Sequence, residues 1–217
     1  MINILRIKAS HLVLNHICSL SCWSCGNNNP STIAYLFCEN CKVLQKPTDD
    51  VNYFKIMGVH ETYDINENDL SMKFKHLQKL LHPDKFANKN KTEQEISERY
   101  SSLVNEAYKT LLEPLSRGLY MLQLKGKDVP EQTEVDQEFL LEIMEKNEEV
   151  ENAETEEEIL NLNKENIAIM NNLKQQLSKA FHEGDLHRVT KVLSYLKYYT
   201  SIDNQIQNFI RRKGIIR

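Results

Sequence analysis

The stretch KFKHLQKLLHPDKF, from Lys73 to Phe86, decides the fold. Leu70, Phe74, Leu77 and Leu81 recur at helical spacing and form the stripe of an amphipathic helix. Lys73, Lys75 and Lys79 stand on its other faces. His82-Pro83-Asp84 ends it, because proline disfavours the helical conformation in the residue before it. Upstream, Asn66 with Asp69 resembles a capping pair, and Asn52 caps a short helix, Tyr53–Met57, closed by Gly58. Downstream, Thr92 and Glu95 are expected to form a capping box. The stripe of the helix they open is Ile96, Tyr100, Leu103, Ala107, Tyr108 and Leu111. Pro114 suits the first turn of a fourth helix, Leu115–Leu124. His82 and Asp84 could be read as a catalytic dyad. However, the chain holds no GxSxG, no HExxH and no phosphate-binding glycine loop, so no enzyme is expected.

Two long antiparallel helices joined by a loop holding His-Pro-Asp, with lysines leading into it, resemble the J-domain of DnaJ-type co-chaperones. YFKIMGV at Tyr53–Val59 and NEAYKTLLEPLSRGLY at Asn105–Tyr120 extend the resemblance over residues 51–124. It implies stimulation of ATP hydrolysis by a DnaK-type chaperone. His82 and Asp84 would be a donor–acceptor pair held by Pro83, and Lys73, Lys75 and Lys79 a cationic strip that steers an acidic partner surface.

Residues 125–134 read as a linker, with Gly126 and Pro130. Beyond it lie three helical stretches: Val135–Val150, then Thr155–His182 opened by a Thr155/Glu158 capping box, then Asp185–Lys213 entered through Gly184. Short connections favour antiparallel neighbours, so residues 135–213 are expected to form a three-helix bundle. Ile159, Leu162, Ile169, Leu173, Leu177 and Ala180 make one core stripe; Leu186, Val189, Val192, Leu196, Ile202, Ile206 and Phe209 make another. The first of these helices is too apolar for a single stripe. Phe139, Ile143 and Val150 suffice for a core, while Leu140, Leu141 and Met144 lie on another face among Glu138, Glu142, Glu145 and Glu148. Periodicity alone prefers a wide core face; a docking surface is the alternative. From Glu134 to Glu158 twelve acidic residues face one base, Lys146, which makes either a solvated face or an acidic docking surface.

Ahead of the helices, Cys22-Trp-Ser-Cys25 and Cys38-Glu-Asn-Cys41 form two CxxC pairs in residues 21–46. Two such knuckles facing each other supply the tetrahedral four-sulfur set that Zn²⁺ accepts, and the gap between them is ample for a small β-hairpin. One divalent metal ion, zinc, is the preferred occupant. Two disulfides, a redox CxxC and an iron–sulfur cluster remain as alternatives. Cys18 is left over as a bystander thiol. Residues 1–20 carry Arg6, Lys8, His11 and His16, with no Asp or Glu before Glu39, which reads as an organelle transit segment.

The chain has 217 residues with six Gly and five Pro, too few for a turn-dense all-β architecture. A net charge of −4 speaks against a general nucleic-acid binder. No apolar run approaches the ~18 residues of a membrane helix, so a soluble protein that binds neither nucleic acid nor membrane is expected. The expected fold class is mainly α: a zinc-ribbon-like metal module, a J-domain helical hairpin and a C-terminal three-helix bundle.

J-domain, FLLEIMEKNEEVE at Phe139–Glu151 and SYLKYYTSI at Ser194–Ile202 together resemble the HscB family of iron–sulfur co-chaperones. The CWSCG and LFCENC module is similar to that of its animal mitochondrial members. The resemblance implies that the first bundle helix and an aromatic of the last bind the IscU-type scaffold on which clusters are built. Carried onto matching positions, it points to Leu140, Leu141, Met144, Glu145, Glu148 and Tyr198 and reverses the preference drawn from periodicity. Asn147 stands where bacterial members resemble a basic position, and Tyr198 where they resemble Phe. The resemblance further implies a mitochondrial DnaK-type chaperone as second partner, with cluster-acceptor proteins and a homodimer left open, and residence in the mitochondrial matrix with the cytoplasm as a second compartment. A general protein-folding co-chaperone with broad clients is the alternative. The chain lacks the Gly/Phe-rich stretch that such proteins share.

Overall fold

The computed structural model describes residues 20–29, 36–47, 52–127 and 136–214. The transit-like segment, Cys18 and most of the linker fall outside them. The chain divides into two compact units, one of residues 1–50 with Leu81–Tyr100, the other of Val51–Leu80 with Ser101–Arg217. Among the described residues the architecture is seven helices and one minimal sheet: β1 Leu20–Ser21, β2 Asn28–Asn29, α1 Tyr53–Met57, α2 Glu67–Leu81, α3 Lys91–Leu112, α4 Pro114–Leu124, α5 Gln137–Asn152, α6 Glu156–Glu183 and α7 Leu186–Lys213. No helix among these residues is long and apolar enough to cross a membrane.

The local signals for helix ends mostly hold. Asn52 accepts from the Lys55 N–H, and Gly58 closes α1 in the left-handed conformation. Thr155 and Glu158 form the full reciprocal capping box of α6, and Gly184 and Asp185 make the turn into α7. Two caps differ from expectation. Asn66 alone caps α2, accepting from Asn68 and Asp69 N–H; the Asp69 carboxylate turns to the Lys73 ammonium, 3.1 Å away. Helix α3 is capped not by Thr92 with Glu95 but by Asn90, whose side chain exchanges hydrogen bonds with Glu93. The physical cause lies upstream, where the Gln94 amide donates to the carbonyls of Ala87 and Lys89 and holds the entering chain so that α3 begins at Lys91.

Helices α2 and α3 run antiparallel. Phe74 stacks on Tyr108 at 4.0 Å, the Gln78 amide meets Asn105, and Ser97 donates to the Leu81 carbonyl. Tyr53 ties α1 to α4 and α3: its ring stacks on Tyr120 at 4.4 Å, its N–H donates to the Tyr120 hydroxyl, and its own hydroxyl donates to Glu106. Burial and the Glu106 carboxylate push the Tyr53 hydroxyl up to about 12.

Helices α5, α6 and α7 run up, down and up, so α5 lies parallel to α7. Buried Phe139 stacks on Tyr195 at 4.1 Å and meets Tyr198 and Tyr199 edge-on. The core stripe of α7 is broader than its periodicity suggests: Leu193, Tyr199 and Ile210 are buried too, whereas Phe209 is half-exposed. The reason is that α7 packs against α4, α5 and α6, so apolar cover is needed on several sides. Helix α6 also buries two polar side chains that the stripe omits, Asn163, which accepts from Gln207, and Asn166, which donates to the Tyr199 carbonyl.

At the α4–α7 contact a Cβ added to Gly118 would stand 2.6 Å from Leu193 Cδ2. A side chain there requires the Leu193 side chain to shift. Beside it, the buried Arg117 guanidinium lies over the Tyr63 ring, which itself stacks on Phe181 of α6. Arg117 also donates to the Leu111 carbonyl, so a buried cation keeps a hydrogen-bonded partner and an aromatic face.

Candidate functional site

Three groups of side chains carry chemistry. The first is the tetracysteine module. Each CxxC pair is itself the tip of a tiny hairpin; the middle of the stretch between the pairs, where the sequence leaves room for a further hairpin, lies outside the described residues. Around the first, Leu20 pairs with Asn29 and Ser21 with Asn28. Around the second, Phe37 bridges Leu44. The two turns repeat each other: the Gly26 N–H donates to the Cys22 carbonyl and the Lys42 N–H to the Cys38 carbonyl, both at 2.9 Å. Gly26 has φ 71° and Lys42 φ 60°, so the residue after each pair is left-handed, and Lys42 adopts there what glycine adopts more readily. Aligning the two CxxC segments on each other is the sequence signal that finds this position.

The four Sγ atoms lie within 4.8 Å of one another. Cys22 and Cys41 approach to 3.6 Å, Cys25 and Cys38 to 3.7 Å. Tetrahedral coordination with ~2.3 Å metal–sulfur bonds separates sulfurs by about 3.8 Å, whereas a disulfide needs ~2.05 Å. The donor set fits a metal ion, and none of the four cysteines is in a disulfide. Burial opposes ionisation of Cys22, but the backbone N–H groups of Cys25 and Ser24 and the Gln45 amide outweigh it and hold the thiol below its ordinary value. At Cys41 the Val43 N–H favours the thiolate, yet desolvation and the crowding sulfurs of Cys25, Cys22 and Cys38 push it up to about 12. A dication at the centre would favour the thiolate form of all four, because it attracts each sulfur while offsetting two of the four charges. Asn40 donates to Cys25 Sγ as Gln45 does to Cys22 Sγ, an amide pair that spacing alone did not reveal. A bound metal would supply structure rather than chemistry here, since four protein ligands leave no open position. Chelation should release about one metal ion per chain and disorder only this module. The helical circular dichroism should stay unchanged, because the described residues of the module carry no helix. A metal-free protein whose module stays ordered would point to disulfides instead.

The second group is the His82-Pro83-Asp84 turn. Pro83 opens a short 3-10 turn, Pro83–Phe86, anchored by buried Phe86 and by the Lys85 N–H donating to the His82 carbonyl. His82 Nδ1 accepts from the Asp84 N–H at 3.3 Å. A nitrogen that accepts is unprotonated, so the neutral ring carries its proton on Nε2, as a donor. The Asp84 carboxylate lies 3.5 Å from Nδ1, and both side chains are exposed. Lys75 and Lys79 are exposed on α2. Lys73 is engaged within the fold: its ammonium donates to the Gly58 carbonyl at the end of α1 and pairs with Asp69.

The third group lies on α5. Leu140, Leu141 and Met144 are 37%, 60% and 58% exposed, while Phe139, Ile143 and Val150 are buried. The wide-core expectation from periodicity is therefore overturned, since one face already fills the contact with α7. Glu145 and Glu148 are exposed beside the three apolar side chains. Tyr198 is half-buried, its ring edge-on to Phe139 at 5.6 Å. The Lys146 ammonium donates to Glu149 and to Glu165 of α6, and these carboxylates, Glu149 foremost, hold it above its ordinary pKa.

Comparison with known proteins completes the picture. Residues 52–120 match the DnaJ domain model, and residues 135–207 match the model described as the HSCB C-terminal oligomerisation domain. The chain is similar to the human "Iron-sulfur cluster co-chaperone protein HscB", 38% identical over 189 residues, covering 86% of this chain and 80% of that protein. A mouse protein of the same name is 33% identical over 205 residues, covering 93% and 88%. The crystal structure of human co-chaperone protein HscB superposes with a TM-score of 0.83 at 36% identity, covering 90% of this chain and 99% of that one. An HPD turn on a J-domain, a C-terminal helical domain of this type and relatives at these identities over most of the chain lead to one assignment: this chain belongs to the HscB family of iron–sulfur cluster co-chaperones.

Proposed function

We propose that this co-chaperone bridges two partners. The α5 patch of Leu140, Leu141, Met144, Glu145 and Glu148, with Tyr198 of α7, holds an IscU-type scaffold. The His82-Pro83-Asp84 turn, with Lys75 and Lys79 nearby in sequence, engages a DnaK-type chaperone and stimulates its ATPase, so that the chaperone clamps the scaffold and its cluster passes on. Lys73 contributes charge to the same helix while its ammonium holds α1. The tetracysteine module takes one zinc ion, and the site of action is the mitochondrial matrix.

One observation carries the reading: three large apolar side chains stand exposed, rimmed by carboxylates, on a chain that also carries the HPD turn. Large apolar groups gathered on a surface and ringed by polar ones mark interaction sites. The physical gain of joining the two is effective concentration, for a tethered client meets the chaperone in an intramolecular step.

Single-turnover ATP hydrolysis by a mitochondrial DnaK-type chaperone tests it. The protein should accelerate hydrolysis, and adding the scaffold should accelerate it further. Equal acceleration by unrelated unfolded chains, with no binding of the scaffold, would favour a general folding co-chaperone.

A further inference from the structure

The docking helix is held in place by side chains that face away from its docking surface. Asp136 occupies the N-cap position of α5, yet its side chain makes no cap hydrogen bond. A capping Asp ordinarily stabilises its helix by accepting from the backbone N–H groups of the first turn. Its carboxylate instead accepts from the Tyr195 hydroxyl at 3.2 Å and from the Lys191 ammonium at 3.3 Å, both on α7. One turn on, Phe139 sits against Tyr195, Tyr198 and Tyr199. One turn further, Glu142 accepts from the buried Tyr199 hydroxyl. Asp136, Phe139 and Glu142 thus meet Lys191, Tyr195 and Tyr199 rung by rung, fixing both the rotation and the axial register of α5. Beyond this ladder Lys146 pairs with Glu165 of α6 and Val150 is buried. The side chains proposed to meet the scaffold, Leu140, Leu141 and Met144, fall along the clamped half.

We propose that Tyr195 and Tyr199 are positioning residues that lock the register of α5 on α7, so that the apolar patch and the half-buried Tyr198 are presented in one geometry before the scaffold arrives. This rests on the scaffold-binding reading above. The hydroxyls act through Asp136 and Glu142 and need touch no partner. A helix that leaves this register for part of the time binds with an affinity reduced by the fraction that remains competent.

The test uses the full chain and an IscU-type scaffold in stopped-flow and surface-bound kinetics. Tyr195→Phe with Tyr199→Phe keeps both rings and removes both hydroxyls. It should weaken the complex roughly tenfold through a slower association rate, leaving dissociation close to the original, as for a loss of pre-organisation. Leu141→Ala, which removes a contact, should instead speed dissociation. Asp136→Asn serves as a second variant that leaves the aromatic cluster intact and should shift association the same way. The paired Tyr variant, still folded by its melting curve, should stimulate the chaperone in the absence of scaffold as the parent does. Association unchanged in both variants, with Leu141→Ala still damaging, would overturn the positioning role alone. No complex with the parent protein would overturn the scaffold reading itself.

Discussion

Replacing His82 with Gln should abolish stimulation of the partner chaperone, a loss on the order of tenfold or more and so at least ~1.4 kcal/mol of coupling. The ring is exposed, and its Nδ1 accepts a hydrogen bond from the Asp84 N–H. The fold therefore has little to lose: exposed substitutions away from caps and cores usually change stability by about 0.5 kcal/mol or less. What goes is a rigid aromatic donor whose tautomer is set by the turn. A glutamine amide lacks the ring and adds rotamer freedom that must be frozen on contact. Single-turnover hydrolysis should fall to the unstimulated rate while scaffold affinity and melting temperature stay put. Preserved stimulation would reject the J-domain as the acting module.

Changing Leu140, Leu141 and Met144 together to Ala should reduce scaffold affinity on the order of 100-fold, about 3 kcal/mol across three side chains. The three are substantially exposed, so a core role would predict something different. Truncating buried Leu or Met costs ~2–5 kcal/mol each, and a triple core variant would melt far below its parent. Calorimetric titration with the scaffold, beside a thermal melt, separates the two. A collapsed melting temperature would place the residues in the core, and undiminished binding would move the scaffold elsewhere.

Much of this fold was legible locally. The Thr155/Glu158 box, the left-handed Gly184 and the Pro114 start are set by residues within one turn of each other, and their geometry follows from backbone groups needing partners. Errors began where two local solutions compete. Asn90 with Glu93 and Thr92 with Glu95 present the same polar-x-x-acid pattern, and a longer-range hold from Gln94 selects the first. The contact of Lys73 with α1 is hidden from the sequence for the same reason: nothing in the helix itself says that the end of α1 captures this ammonium. The exposed face of α5 shows the opposite limit. Periodicity counts apolar residues but not the neighbours available to cover them, and α5 has its principal neighbour on one side only. The cysteine set was read from spacing, because metal geometry is strict enough to leave a trace in sequence. The amides of Asn40 and Gln45 that serve its sulfurs left none.

Because the α4–α7 seam closes over a hydrogen atom at Gly118, the modules of this chain are not freely interchangeable. Transplanting a foreign J-domain that bears any side chain at that place would keep both parts intact yet displace the Leu193 side chain at the seam. Recombination among relatives is thus limited at this junction by the volume of a single methyl group.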